Sequence, residues 1–157
     1  MSVTVGNITV GEKLPDFELP NQNGDHVSLS SLEGQKFIMF FYPKDDSPGC
    51  TKEACSVRDN FRKISKAGYK VFGVSPDTPK KHLKFIDKYE FQYDLLSDVD
   101  KAVLTNFGLW GPKQFMGREI IGVYRTTLLV DENGVVEEII SKVKTKIHGE
   151  QILEVVK

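Results

Sequence analysis

Cysteine is scarce in this sequence, which contains two cysteines, Cys50 and Cys55, among 157 residues. Two cysteines cannot build the dense disulfide framework that stabilises small secreted domains. The chain does not need one, because a chain of this length can bury roughly 70% of the surface that its unfolded form exposes. The two thiols are therefore interpreted as core residues, as metal ligands or as redox groups, and composition leaves these alternatives open.

Long hydrophobic runs are absent as well. No apolar stretch approaches the roughly 18 residues that a membrane helix needs, so we expect no membrane span. Residues 1–6 lack the basic segment and the apolar segment of a secretory signal, and we therefore expect a cytoplasmic protein. In that compartment a structural disulfide is rare, which favours the other interpretations of the cysteines.

Neither sign of charge is in excess, because 21 basic and 22 acidic residues give a formal net charge of −1. A protein that binds nucleic acid usually carries a basic surface, so we expect no nucleic-acid partner. Histidine is also scarce, and His26, His82 and His148 show no pairing motif. A structural zinc site needs four ligands at typical spacings, so we expect no metal and place each histidine at the surface or at a helix end.

What the sequence does contain is an alternation of strand and helix patterns, which predicts a single domain over residues 1–157. Alternating apolar residues on both sides of the polar turn 21–25 predict an N-terminal β-hairpin. The uninterrupted apolar run 37–42 predicts a central strand that is covered on both faces. From Cys50 onward, apolar residues recur every three or four positions and predict a helix that ends near Gly68.

The rest of the chain continues this alternation. The remaining predicted elements are a strand at 69–75, a helix from 78, a short helix after 98, a hairpin around 132–134 and a last helix around 152–156. On the helix from 78, the expected buried face consists of Leu83, Ile86 and Tyr89. This order fits an α/β thioredoxin-like fold, in which a central mixed β-sheet is flanked by helices.

The segment 41–55 joins the central strand to the following helix and places Cys50 in the first helical turn. Ser47 is a suitable N-cap, and Pro48 suits the first helical position. Unpaired N–H groups at a helix start stabilise a thiolate, which is the reactive form of cysteine. Gly49 allows the backbone to come close to whatever binds there. The pattern therefore favours a nucleophilic Cys50.

Cys55 follows Cys50 after five residues. On one regular helix, the two Cα atoms would be roughly 9 Å apart. A disulfide requires a separation below about 7 Å, so the pair can join only if the first turns unwind. A helix start is held by few internal bonds, which makes it the easiest part to open. The spacing alone is weak evidence, and two inert buried cysteines stay an alternative.

The segment 41–59 resembles the active-site segment of the peroxiredoxins. In that family a proline is followed by three residues, Thr or Ser, two residues and cysteine, and Pro43, Ser47 and Cys50 have this spacing. The fuller pattern is similar to the bacterioferritin-comigratory-protein branch, also called peroxiredoxin Q. The similarity covers essentially the whole chain and includes the segments 14–17, 107–111, 116–117 and 124–127.

The resemblance implies a role for each residue of the motif. Cys50 matches the peroxidatic cysteine, and Cys55 matches the resolving cysteine. Ser47 matches the hydroxyl residue that hydrogen-bonds the peroxide, and Pro43 matches the proline that shields the thiolate. Arg125 matches the arginine that stabilises the thiolate and the charge that develops on the peroxide oxygens, a role suited to its fixed fork of donors.

Two further positions follow from the same resemblance. Gly49 is expected to line the substrate site together with Ser47 and Arg125. Glu53 is expected to be a partner of the arginine, although a carboxylate in the first helical turn also suits the helix dipole. This branch most often has threonine where the chain has Ser47, and serine lacks the methyl group that stiffens χ1. We therefore expect an effect on the rate but not on the type of reaction.

The implied activity is the reduction of hydrogen peroxide and organic hydroperoxides through a Cys50 sulfenic acid and a Cys50–Cys55 disulfide. A thioredoxin-type dithiol is the expected reductant, no cofactor is expected, and the chain is expected to be a monomer. A thioredoxin-like disulfide reductase is disfavoured, because such enzymes use C-x-x-C. A non-catalytic redox sensor that uses the same pair, and a scaffold with inert cysteines, stay as alternatives.

Overall fold

The strands and helices follow one another along nearly the whole chain, of which a computed structural model describes residues 3–156. The strands are β1 (Thr4–Val5), β2 (Ile8–Thr9), β3 (Glu18–Pro20), β4 (His26–Ser28), β5 (Lys36–Phe41), β6 (Tyr69–Ser75), β7 (Asp94–Ser97), β8 (Trp110–Phe115), β9 (Arg118–Val123), β10 (Thr126–Val130) and β11 (Val136–Ile140). The α-helices are α1 (Pro48–Lys66), α2 (Pro79–Tyr89), α3 (Ala102–Asn106) and α4 (His148–Val155).

A mixed five-stranded sheet with the order β11-β10-β5-β6-β7 forms the centre of the molecule. Strands β5, β6 and β7 are parallel, whereas β10 runs antiparallel to both β5 and β11. The apolar run of β5 occupies the middle of this order. A strand without a polar face needs cover on both sides, and the sheet provides two apolar faces for that purpose.

Each face of the sheet carries its own apolar core, because successive side chains of a strand point to opposite faces. Ile38 and Phe40 pack on the side of α1, α2 and α4, in a cluster that we call the helix-side core. Phe37, Met39 and Phe41 pack on the other side against the N-terminal strands and α3, in what we call the N-terminal-side core.

The predicted thioredoxin-like α/β fold is confirmed, including the N-terminal hairpin β3–β4, the central strand, helix α1 and the hairpin β10–β11. Strand β7 and the hairpin β8–β9 were not predicted. Strand β7 has four residues, and β8–β9 exposes large apolar side chains such as Phe115 and Ile121, so neither has the alternating pattern of a strand with one buried face.

The expected face of α2 is wrong at Leu83, which is 47% exposed. The helix instead buries His82 and Phe85. His82 and His148 were expected at the surface or at a helix end; both lie in the first turn of a helix, but both are fully buried. Both ring nitrogens of His82 find hydrogen-bond partners inside the protein. A polar side chain that is fully hydrogen-bonded can replace an apolar one in a core.

Candidate active site

The candidate site lies at the end of two neighbouring strands of the central sheet, where β5 ends and β10 begins. Phe41, the last residue of β5, pairs with Thr126, the first residue of β10. The loop after Phe41 leads into α1 and to Cys50, while Arg125 immediately precedes Thr126. Antiparallel pairing therefore brings Cys50 and Arg125 together, although 75 positions separate them in the sequence.

Cys50 is the third residue of α1 and is almost fully buried. Ser47 occupies the N-cap position as predicted, and its carbonyl accepts the N–H of Thr51 at 2.8 Å. By helix geometry, the N–H groups of Gly49 and Cys50 have no carbonyl partner within the helix. These unpaired N–H groups form the positive end of the helix dipole, and Cys50 lies in that first turn.

Arg125 links Cys50 to Glu53 through the two arms of its guanidinium group. Nη2 donates to Sγ of Cys50 at 3.4 Å, and Nη1 donates to Oε1 of Glu53 at 2.5 Å. Burial disfavours the charge on Arg125, but Glu53 and Cys50 outweigh burial and raise its pKa above the usual value. The arginine is therefore a fixed positive charge in direct contact with the sulfur.

Glu53 is fully buried, and its second oxygen, Oε2, is 3.5 Å from Nε2 of His148. Burial raises the pKa of Glu53 to about 7, although Arg125 acts in the opposite direction. His148 is also buried, and burial lowers its pKa to about 4. The hydroxyl of Thr127 lies 2.6 Å from Nε2 of His148, on the inner side of α4.

Ser47, Pro43 and Gly49 belong to the loop and first turn that lead to Cys50. The hydroxyl of Ser47 donates to the carbonyl of Lys44 at 2.9 Å, which leaves its lone pairs free to accept a hydrogen bond. Pro43 is half-buried in the same loop. A Cβ atom at Gly49 would lie 3.6 Å from Nη2 of Arg125, so Gly49 borders the space in front of the guanidinium.

Cys55 lies further along the same helix, half-buried and packed against the helix-side core. Both cysteines are free thiols, and α1 is continuous between them. Burial raises the pKa of Cys55, with an opposing effect of Arg58 and a smaller supporting effect of Asp59. The structure therefore contains the reduced pair with an intact helix.

The site contains residues that the sequence did not single out. Lys113 of β8 donates to the carbonyl of Val123 at 2.8 Å. The pKa of Lys113 is lowered by burial and by Arg125, and the smaller opposing effect of Cys50 does not reverse this. The methyl group of Thr145 is 4.0 Å from the Cβ position of Gly49. Lys113 lies in a hairpin that was not predicted, and no motif marked Thr145 or His148.

Neither a metal site nor a membrane helix is found in the part of the chain that the structure describes. Within residues 3–156, no three His, Cys, Asp or Glu side chains come together in a group that could hold a metal ion. No helix in this range is long and apolar enough to cross a membrane.

Comparison with known proteins places this geometry in a family. The chain matches the AhpC/TSA family over residues 10–139. It is 45% identical to the putative peroxiredoxin bcp of Coxiella burnetii over 147 residues, which cover 94% of this chain and 97% of that protein. It is 40% identical to peroxiredoxin Bcp of Escherichia coli K12, with 93% of this chain and 94% of that protein covered.

A solved structure of the bacterioferritin comigratory protein of Xanthomonas campestris has the same fold, with a TM-score of 0.82 at 32% identity and 89% of each chain covered. That work concerns the alkyl peroxide reduction activity of the Xanthomonas protein in trapped intermediate and ligand complexes. The chain therefore belongs to the AhpC/TSA family and, within it, to the peroxiredoxins of the Bcp and peroxiredoxin Q type, which are thiol peroxidases.

Proposed function

We propose that Cys50 is the peroxidatic cysteine of this thiol peroxidase and that Cys55 is its resolving cysteine. The thiolate of Cys50 attacks one oxygen of the hydroperoxide, and the O–O bond breaks as the S–O bond forms. The sulfur is oxidised to a sulfenic acid, and the other oxygen leaves as an alkoxide or hydroxide that takes up a proton. The products are an alcohol, or water when the substrate is hydrogen peroxide.

The contact between Arg125 and the sulfur of Cys50 carries this proposal. The negative charge moves from sulfur to the leaving oxygen during the reaction. A guanidinium beside the sulfur has several donors in fixed positions, so it can stabilise the charge on both atoms. The contact of its other arm with Glu53 holds the guanidinium plane in place. A buried cysteine without a reactive role has no need for a charged donor aimed at its sulfur.

Ser47, Pro43 and Gly49 complete the proposed substrate site. The hydroxyl of Ser47 already donates to Lys44, so it can accept a hydrogen bond from the O–H group of the peroxide. Pro43 has no N–H and is assigned the shielding of the thiol by its place in the motif, and Gly49 leaves open the space beside Arg125. These contacts orient the two oxygens in line with the sulfur.

The sulfenic acid of Cys50 then condenses with the thiol of Cys55, which forms the S–S bond and releases water. On intact α1 the two Cα atoms are roughly 9 Å apart, so the first turns must unwind before this step. Unwinding also exposes Cys55 to water. Exposure removes the burial that raises its pKa and so increases the fraction of reactive thiolate.

A thioredoxin-type dithiol is the proposed reductant, because it returns both cysteines to thiols by two exchange steps. Resolution within one chain requires no second subunit, which supports a monomer as the working form. We place the enzyme in the cytoplasm, where such dithiols keep thiols reduced. Organic hydroperoxides are proposed as substrates beside hydrogen peroxide, in view of the alkyl peroxide reduction described for the Xanthomonas relative.

The experiment that tests these roles is intact mass spectrometry after one equivalent of hydrogen peroxide, on the reduced native protein and on Cys55→Ser. The native protein is expected to lose two hydrogens as the disulfide forms. The variant is expected to gain one oxygen, trapped on Cys50. No mass change in either protein would contradict both assignments.

The same samples separate the proposed enzyme from a redox sensor that uses the same pair. An enzyme turns over peroxide in many cycles when a dithiol is supplied, whereas a sensor forms the disulfide with a negligible peroxide rate. Rapid mixing with peroxide at low protein concentration measures that rate directly. Fast turnover is the expected result, because the Arg125 contact is useful mainly for the chemical step.

A further inference from the structure

The loop that leads into α1 is held by a buried histidine that the proposed chemistry does not use. His82, in α2, is fully buried, and each of its ring nitrogens faces an oxygen. Nδ1 is 2.6 Å from Oδ2 of Asp45, and Nε2 is 3.0 Å from the carbonyl oxygen of Leu96. Asp45 lies two residues after Pro43 and two residues before Ser47, in the middle of the active-site loop.

These contacts fix the number of protons that the pair must hold. The carbonyl of Leu96 can only accept, so Nε2 of His82 carries a hydrogen. The short contact between Nδ1 and the Asp45 carboxyl requires a second hydrogen between them. His82 and Asp45 therefore share one proton more than a neutral imidazole beside a carboxylate would hold.

The remaining contacts of Asp45 favour the arrangement with a charged ring and an ionised carboxylate. Its Oδ1 accepts the hydroxyl of Tyr42 at 2.6 Å, and its backbone N–H donates to Oδ2 of Asp77 at 2.7 Å. The same oxygen of Asp77 accepts the hydroxyl of Ser75 at 2.7 Å. Burial and then Asp45 raise the pKa of Tyr42, which keeps its hydroxyl a donor.

Other charged groups surround the pair on its open side. A cleft beside it is lined by Asp45, Asp46, Asp77 and the side chains of four lysines, Lys44, Lys81, Lys84 and Lys88. These lysines favour ionised carboxylates and oppose the charge on His82. On the β7 side, Asp98 directs its carboxylate to the N–H groups of Val103 and Leu104.

A second carboxylate of the loop is attached to the same helix. Oδ2 of Asp46 accepts Nζ of Lys88 at 2.8 Å, and Oδ1 accepts the hydroxyl of Tyr89 at 2.8 Å. The loop is thus anchored to α2 up to Asp46, and Ser47 alone separates that anchor from the first residue of α1. Unwinding of α1 must start at the end of an anchored loop.

We propose that His82 and Asp45 form a protonated clamp that holds the active-site loop and slows the unwinding that lets Cys50 and Cys55 join. His82 is a positioning residue, because it touches neither the thiols nor the peroxide.

This inference rests on the proposed disulfide cycle and determines the fate of the sulfenic acid in it. The sulfenic acid of Cys50 can condense with the Cys55 thiol, which releases water. Alternatively, it can react with a second hydroperoxide, which adds an oxygen to the sulfur and releases an alcohol or water. A closed clamp lengthens the life of the sulfenic acid and so favours the sulfinic product when peroxide is in excess.

The test compares the native protein with H82Q and D45N, and with H26Q as a control, because His26 is exposed and its Nδ1 lies 2.9 Å from Oε2 of Glu18, away from the active-site loop. Rapid mixing with peroxide, acid quench and intact mass follow the sulfenic, disulfide and sulfinic forms. In H82Q and D45N, disulfide formation is expected to be about tenfold faster, as for the loss of one hydrogen bond to a charged group. Less sulfinic acid is expected in both, and H26Q should match the native protein.

The rate of the first oxidation separates the clamp from a general loosening of the fold. His82 touches neither the thiols nor the peroxide, so sulfenic acid formation in H82Q should match the native rate while disulfide formation is faster. Equal rates of disulfide formation in folded native and variant proteins would overturn the inference.

Hydrogen exchange of the reduced proteins is a second measurement. Peptides covering 44–50 are expected to be less protected in H82Q than in the native protein, with the peptides of α4 as the internal reference. Equal protection of the loop in the two proteins would overturn the clamp. If the native protein forms no disulfide at all, the proposed cycle fails, whereas a native disulfide with unchanged variants removes only the clamp.

Discussion

At the sulfur of Cys50, two sources of positive potential meet from opposite parts of the chain. The start of α1 supplies backbone N–H groups, and Arg125 supplies a charged donor at 3.4 Å. The guanidinium can contact Glu53 and Cys50 together because its donors lie in one plane at fixed angles. A lysine has one nitrogen on a flexible chain and cannot replace both contacts.

Arg125→Lys is therefore expected to lower the second-order rate constant with hydrogen peroxide by about 10²-fold, as when one preorganised donor is removed from a reaction site. Stopped-flow mixing of reduced protein with peroxide measures this constant. Arg118→Lys is the matched control, because Arg118 is exposed at the start of β9. A rate close to the native value in Arg125→Lys would remove the arginine from the chemical step.

Glu53 and His148 act together on the pH dependence of stability. The pKa of Glu53 is about 7 in the folded protein against an ordinary 4.5, so between these values only the folded state keeps that proton, and stability falls as the pH rises. The pKa of His148 is about 4 against an ordinary 6.5, so in that window only the unfolded chain is protonated, and stability rises with pH. The two effects oppose each other in the native protein.

When one of the two groups is removed, the pH dependence of stability caused by the other should become visible. Relative to the native protein, Glu53→Gln is expected to gain about 3 kcal/mol of stability between pH 4.5 and pH 7, since one pKa unit corresponds to about 1.4 kcal/mol. His148→Gln is expected to lose a similar amount, about 3 kcal/mol, between pH 4 and pH 6.5. Urea unfolding of reduced proteins across this range measures both. If the free energy of unfolding changed with pH in the same way in all three proteins, the assigned pKa directions would be contradicted.

Among the elements, α1 serves two needs that conflict. As an intact helix it aims its first N–H groups at Cys50, but the same helix keeps Cys55 out of bonding range. Cys50 and Ala54 belong to the helix-side core as Val57 and Ile64 do, so unwinding of the first two turns must withdraw Cys50 and Ala54 from it. Tyr93 also donates to the carbonyl of Ala54 at 2.6 Å and supports the helix at the point where unwinding should stop.

Oxidation to the disulfide is therefore expected to remove hydrogen-exchange protection from residues 50–54 and to leave that of 57–66 unchanged. The bond from Thr51 to Ser47 is the first one that must open. Hydrogen exchange of the reduced and the oxidised native protein, resolved by mass spectrometry of peptides, shows at which residue of α1 the loss of protection ends. Cys55→Ser treated in the same way is the control, and equal protection in an oxidised native protein would contradict local unwinding.

For the whole molecule, stability depends on the two cores that share one sheet. Alternate side chains of β5 belong to different cores, so neither core can be lost without the strand that supports the other. This arrangement supports the proposal that the chain unfolds as one domain. It also holds in place the end of β5 and the start of β10, where the active site lies.

Phe40→Ala is expected to lower the free energy of unfolding by about 3–5 kcal/mol, because Phe40 is fully buried in the helix-side core. Phe115→Ala is the matched control, since Phe115 is 57% exposed on the hairpin β8–β9. Its effect should stay within about 0.5 kcal/mol. Urea unfolding followed by fluorescence and by circular dichroism should give one coincident transition, and two separate transitions would contradict a single domain.

The sequence by itself determined the features that depend on neighbours in the chain. The apolar run 37–42, the Ser47-Pro48 start of α1 and the turn 132–134 specify their elements through local periodicity and turn chemistry, and the structure contains each of these elements. The placement of Cys50 at a helix start follows from the same local information. The resemblance to the peroxiredoxins then singled out Arg125, which no local pattern marks.

Tertiary structure alone decided which distant residues meet. Antiparallel pairing of β10 with β5 places Arg125 beside Cys50, and the packing of α4 on α1 brings His148 to Glu53. Burial of His82 was not predicted, because its partners Asp45 and Leu96 come from other elements and cannot be inferred from the pattern of α2. Local sequence specifies an element and its polarity, whereas a pKa or a contact depends on the groups that folding brings within a few ångströms.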